Sequence, residues 1–133
     1  MLTRAGIGKL VLIDRDVVEL SNIQRQPLFD ESDIGKPKAF AANEKLNKIN
    51  SEVEIQFFID DLNYKNIGKI LDGKVGLILD CTDNLETRFL INDYCIKNKI
   101  PFIYSSAVGN KGYIFNVVPD KKNPCLRCFL KEA

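Results

Sequence analysis

Apolar residues follow two rhythms along this chain: short continuous runs rich in Val, Ile and Leu, and longer stretches where they recur every three or four positions. Residues 9–14 (KLVLID) form the first run, the pattern of a strand buried on both faces, and it ends on an acid. Residues 35–49 (GKPKAFAANEKLNKI) place Pro37 near a first turn and Ala39, Ala42, Leu46 and Ile49 on one stripe, which predicts an amphipathic helix. Residues 53–59 (VEIQFFI) predict a strand, residues 63–71 a short helix with Gly68 inside it, and residues 75–80 (VGLILD) a further buried strand. Residues 83–97 carry Leu85, Phe89, Asn92 and Ile96 along one helical stripe, where only Asn92 is polar. Residues 101–105 (PFIYS) and 112–118 (GYIFNVV) complete the strands, ahead of a turn-rich tail, PDKKNPCLRC.

The order β-α-β-α-β-α-β-β predicts a Rossmann-like, doubly wound α/β domain with a mainly parallel sheet and an antiparallel edge at the closely spaced last pair. Such a sheet ordinarily opens with a strand, a glycine-rich turn and a helix, and an acid about 20 residues later, at the end of the second strand, meets a ribose. Asp14 takes that place, while residues 2–6 (LTRAG) read as the last turn of a helix capped by Gly6. The Gly6-Ile7-Gly8 piece leads into a strand, not a helix, and so is a poor phosphate loop. The expectation is a single partial domain over residues 1–133 that lacks its first β-α unit.

Composition narrows the partners. Lys plus Arg (19) nearly cancels Asp plus Glu (18), and a net charge of +1 leaves no basic excess to hold a nucleic-acid backbone or an anionic membrane. No apolar run reaches the roughly 18 residues of a membrane span, and the start lacks the apolar stretch of a signal peptide, so the expected compartment is the cytoplasm. Histidine is absent, which removes Ser-His triads, Cys-His nucleophiles and histidine metal ligands together.

Three constellations could carry chemistry. Asp14 and Asp16 fall beyond the carboxyl end of a strand, where open α/β sheets bind ligands, and the cations Arg25 and Lys38 follow in the next loop and helix start. A ribose acceptor and two phosphate donors fit that pattern, as does an ordinary charged loop with Asp14 closing the strand. Asp80-Cys81-Thr82-Asp83-Asn84 occupies a second strand-to-helix corner, where Asp83 with Glu86 resembles a capping box and could also hold Mg²⁺ through water. Cys125-Leu126-Arg127-Cys128 is half of a tetrahedral zinc site, with a thioredoxin-like redox pair as the rival, while Cys81 and Cys95 read as small buried residues.

The strings themselves say more. LVLIDRDVVELSNIQRQ followed by IGKPKA closely resembles the nucleotide-binding segment of the ThiF/MoeB/HesA family, which includes the adenylation domains of ubiquitin-activating enzymes. DCTDN before a helix containing Arg88 is similar to the family's second signature, and PCLRC to the first half of its four-cysteine zinc site. The resemblance runs from Leu2 to Phe129 and implies ATP-dependent adenylation of the C-terminal carboxylate of a ubiquitin-like or sulfur-carrier protein ending in Gly-Gly. By position it implies Asp14 at the ribose, Asn22 and Arg25 at the phosphates with Gln26 beside them, Lys38 at the polyphosphate, and Asp83 with Asn84 at magnesium and nucleotide. Cys125 and Cys128 would be zinc ligands, making residues 119–133 the start of a zinc-binding segment, and the protein would be a dimer.

Departures from the family pattern are the glycine-rich loop, an arginine upstream of it, the second cysteine pair and a downstream cysteine nucleophile, so the chain by itself is expected to be inactive. Two rival classes are an inactive remnant or partner subunit that binds a family member or ubiquitin-like protein, and a nicotinamide-dependent enzyme. The latter suits Asp14 but leaves Arg25, Lys38 and the DCTDN corner without a purpose.

Overall fold

The computed structural model describes residues 1–71, 75–120 and 122–131. It divides into two compact units, Met1–Asp61 and Leu62–Ala133.

The first unit contains β1 (Lys9–Ile13), α1 (Leu20–Ile23), a 3₁₀ turn at Glu31–Asp33, α2 (Lys38–Ile49) and β2 (Glu54–Phe58). β1 and β2 are parallel, with Lys9 opposite Glu54 and Ile13 opposite Phe58, and α2 supplies the crossover that a parallel pair requires. Small buried residues Ala39, Ala41 and Ala42 let α2 lie close, and its Phe40 ring meets Phe57 edge-on at 6.0 Å. Before β1, Gly6 ends a turn at φ +76, with the Gly6 N–H bonded to the Thr3 carbonyl and the Ile7 N–H to the Leu2 carbonyl. That is the glycine cap expected from LTRAG.

Helix α2 starts at Lys38, with Pro37 at its N-cap, three residues later than the sequence pattern predicts. The delay has a cause. Gly35 takes a left-handed φ of +83, and its N–H bonds the Val18 carbonyl while the Val18 N–H bonds the Lys36 carbonyl. Residues 35–37 are thus tied to the segment after β1, with Val17 bridged to Pro37. The helix opens beside Asp16.

An ion cluster braces the same loop. Asp33, only 2% exposed, accepts Lys45 at 2.7 Å, the Asp30 N–H at 3.0 Å and Lys36 at 3.4 Å, and Lys45 also pairs with Asp30. Burial pushes the Asp33 carboxyl up, but its hydrogen bonds from Lys45, Asp30 and Lys36 outweigh this and hold it below the usual value. Bonds to Asp30 and Asp33 raise Lys45. A depressed carboxylate stabilises the fold above its ordinary pKa of about 3.9 and stops doing so as pH falls through its folded value. A raised lysine stabilises below its ordinary value of about 10.4 and stops doing so as pH rises through its folded value. Lys45→Met is therefore expected to lower the urea midpoint most between those limits, and the gap from the parent should narrow at both extremes.

The second unit contains α3 (Ile67–Ile70), β3 (Ile78–Asp80), α4 (Leu85–Asn98), β4 (Phe102–Val108), β5 (Lys111–Val117) and α5 (Leu126–Lys131). Strand order is β3-β4-β5, with β3 parallel to β4 and β4 antiparallel to β5. The expected antiparallel edge is therefore the β4–β5 hairpin, which turns at Gly109 with φ +60. Its core joins Ile91 and Cys95 of α4, Phe102 and Tyr104 of β4, Val117 of β5 and Leu126 of α5. The strands expected in one sheet are hydrogen-bonded as two groups, β1 with β2 and β3 with β4 and β5. Helix α5 stands where the sequence suggests only turns; Lys121 of that tail lies outside the described residues. No helix of the described residues is long and apolar enough to cross a membrane.

Candidate functional site

Asp14 leaves β1 half-buried, and its Oδ1 accepts the Asp16 N–H at 2.8 Å, turning the chain back at the strand's end. Asp16 in turn takes Lys38: the Lys38 N–H bonds the Asp16 carbonyl at 2.8 Å, and Lys38 Nζ lies 3.0 Å from Asp16 Oδ2. The Lys38 side chain is 14% exposed and therefore held, not loosely solvated. An ammonium has three N–H donors, so one bond to Asp16 leaves two for a phosphate.

Asn22 and Arg25 come from α1 and the turn behind it. Asn22 is buried, its Oδ1 accepting the Glu19 N–H at 3.1 Å in a capping box, so part of it works for the fold. Arg25 is exposed, and its Nη1 donates to the Ser21 carbonyl at 2.7 Å. That single bond engages one end of the guanidinium, which has five N–H donors in all. Gln26 Oε1 is buried with no hydrogen-bond partner among the described residues. An orphaned acceptor of this kind costs about 1–3 kcal/mol unless water or a ligand satisfies it.

In the second unit, β3 ends at buried Asp80, whose Oδ1 accepts both the N–H and the hydroxyl of Thr82 at 3.0 and 2.8 Å. The cap of α4 is not the expected Asp83–Glu86 box. Asn84 is the N-cap, with Oδ1 accepting the Thr87 N–H at 2.9 Å. Asp83 is exposed, and among the described residues its side chain has no hydrogen-bond or ion-pair partner. Beside it opens a cleft of about 620 Å³ lined by Thr82, Asp83, Arg88, Ser105, Ser106 and Tyr113, among others. Arg88 donates to the Thr82 carbonyl and lies over the Tyr104 ring at 5.1 Å, while its Nε is buried and unpartnered among the described residues, as is Asp80 Oδ2.

Sequence reasoning singled out Asp83 and Arg88 in this corner but missed Ser105 and Ser106. The signal present was a pair of hydroxyls near the carboxyl end of a strand parallel to the DCTDN strand. The first unit brings Asp14, Asp16 and Lys38 together in one hydrogen-bonded chain and places Asn22, Arg25 and Gln26 on a single turn. The second gathers Asp83, Arg88 and the two serines around one cleft.

Cys125 Sγ and Cys128 Sγ are 3.9 Å apart, too far for a disulfide and close to the roughly 3.8 Å that two zinc–sulfur bonds of about 2.3 Å subtend at a tetrahedral ion. Burial pushes the Cys125 thiol up, but hydrogen bonds from the Cys128 and Arg127 backbone outweigh it and hold the thiol below its usual value. Cys81 and Cys95 behave differently. Cys95 is packed wholly inside the core, where burial raises its thiol to about 12. Cys81, expected to be buried, is exposed at the strand-to-helix corner, and partial desolvation together with Asp80 still raises its thiol. Among the described residues no group of three or more carboxylate or thiol side chains lies close enough together to hold a metal ion.

The family model described as "ThiF family" matches residues 1–133. The sulfur carrier protein ThiS adenylyltransferase of Bacillus subtilis (strain 168) is 45% identical over 132 residues, which are 98% of this chain and 39% of that protein. The SAMP-activating enzyme E1 of Haloferax volcanii is 35% identical over 99% of this chain and 48% of its own length. Among solved structures, E. coli MccB with ATP superposes with a TM-score of 0.85 at 30% identity, over 96% of this chain and 38% of MccB. This chain thus spans less than half the length of each.

Proposed function

Because this chain belongs to the ThiF family, we propose that the protein carrying it adenylates the C-terminal carboxylate of a ubiquitin-like or sulfur-carrier protein at the expense of ATP. The observation that carries the reading is 45% identity to a ThiS adenylyltransferase across 98% of the chain. In the reaction a carboxylate oxygen attacks the α-phosphorus, the new acyl–phosphate bond forms, and the bond to the β-phosphate oxygen breaks to release pyrophosphate. No proton need move, so catalysis is alignment and charge neutralisation. That agrees with a site rich in fixed charges and without histidine.

In this mechanism Asp14 accepts from the ribose, Arg25 and the two spare donors of Lys38 hold phosphate oxygens, and Asn22 and Gln26 complete the shell. The orphaned Gln26 Oε1, an acceptor, would take a donor such as a ribose hydroxyl or water, not a phosphate oxygen. Asp83, with Asn84 beside it, stands where Mg²⁺ would be held, an ion that binds through one or two carboxylates plus phosphates and waters and would neutralise the developing charge. A lone exposed carboxylate relieved of capping duty by Asn84 fits that demand. The cleft beside Arg88 is of the size that receives the carrier's extended Gly-Gly tail. Cys125 and Cys128 serve as two zinc ligands, and a cytoplasmic dimer completes the reading.

Carrier-dependent exchange of labelled pyrophosphate into ATP tests the reaction. Light scattering tests the assembly: a dimer mass is expected, and a monomer at high concentration contradicts it. Apolar side chains left at the surface, Ile114 at 76% and Leu20 at 66% exposed, support association.

A further inference from the structure

We infer that Asn92 and Asp93 of α4 are positioning residues for the metal site that Cys125 and Cys128 begin, an inference that rests on the zinc reading of that pair. Leu126 is the first residue of α5, so its N–H has no partner within the helix. That N–H, wholly buried, donates to Asn92 Oδ1 at 3.0 Å. Asn92 is 2% exposed on a stripe otherwise apolar, where an unused amide would be costly. Its purpose is to cap a second helix.

One residue on, Asp93 receives Arg127 Nε at 3.0 Å and Nη2 at 2.6 Å in a two-pronged ion pair. Asn92 Nδ2 donates to Asp93 Oδ1 at 3.0 Å, joining both clamps into one network. The residues gripped, Leu126 and Arg127, are the two between the thiols. Arg127 also lies over the Phe89 ring at 4.6 Å, and Phe129 stacks on Phe115 at 4.5 Å, so α5 is fastened both between the thiols and directly after them. The turn is therefore ordered, with its sulfurs 3.9 Å apart, before any metal arrives. A metal entering it need not supply the free energy of ordering that turn. Partners beyond the ligands act on metal sites in this way, typically by a factor of about 10–100 in affinity.

The test uses the zinc-loaded protein carrying this chain, with a chromophoric chelator to follow zinc release and Co²⁺ substitution to follow the thiolate charge-transfer band. Asp93→Asn alters an exposed ion pair and leaves the core intact; it should release zinc about tenfold to a hundredfold faster and weaken the cobalt band. Asp93→Glu keeps the carboxylate and should recover most of the parent's behaviour. Asn92→Leu, similar in shape but without the acceptor, should have the larger effect, and if it fails to fold the Asp93 pair decides. Release from Asp93→Asn at the parent rate with an unchanged cobalt band overturns the inference. Zinc content unaltered by Cys125→Ser removes the zinc reading, and the inference with it, which separates the two failures.

Discussion

Lys38→Ala and Asp83→Ala are each expected to slow carrier-dependent pyrophosphate exchange by about a hundredfold to a thousandfold, or about 2.7–4 kcal/mol of transition-state stabilisation. The reaction spreads charge over phosphate oxygens while little else changes, so fixed countercharge accounts for most of its acceleration. Lys38 is ordered for that work by Asp16 at 3.0 Å and by its place at the start of α2. Asp83 directly precedes Asn84, the N-cap of α4, and its side chain is left free of capping duty. Asp83 is exposed, so its variant should keep the parent's melting temperature, whereas removing Lys38, which is 14% exposed and paired with Asp16, should lower it modestly. The loss should fall mainly on kcat. A rise in KM alone would mean that these residues bind substrate equally in ground and transition states.

Phe102→Ala has the largest expected effect on stability, about 3–5 kcal/mol. Phe102 is 1% exposed at the start of β4, pairs with Val117 across the hairpin, and shares a core with Ile91, Cys95 and Leu126. Removing its ring leaves a cavity bounded by two helices and two strands, which have little freedom to collapse into it. Against a total stability of about 5–15 kcal/mol that loss is severe. Thermal unfolding should begin far earlier, and amide exchange in β4 and α5 should accelerate. A Phe102→Leu variant should retain most of the parent stability, because it refills the space with apolar volume.

How much of this could be read from the sequence depends on where each signal resides. β1, β2, β4, β5, α2 and α4 were legible because periodicity spans each of them and burial enforces it. The four-residue α1 and the 3₁₀ turn at Glu31–Asp33 escaped notice, being shorter than one full repeat of a helical pattern. Helix α5 was hidden for a different reason: its first N–H is satisfied by Asn92, 34 residues away in sequence. The same residue looked like a flaw in the α4 stripe. The box expected between Asp83 and Glu86 was a misplacement by one residue, since Asp83, Asn84 and Glu86 all suit a helix start and only the backbone geometry at Asn84 decides. Lys38 and Asp83 were found from their strings, but Asp16 as the anchor of Lys38 needed the link between residues 16–18 and 35–38, which Gly35 and Val18 create.

The central claim is that a carrier's C-terminal carboxylate is joined to AMP, and pyrophosphate exchange measured with three carriers tests it most directly. With a Gly-Gly-terminated carrier protein, the protein that contains this chain should incorporate labelled pyrophosphate into ATP, and Lys38→Ala should suppress that signal. With the same carrier amidated at its terminus, or shortened by its last glycine, incorporation should fall to background, since the attacking oxygen is missing or misplaced. Exchange that proceeds equally with all three carriers, or that is absent with every one, would contradict the account.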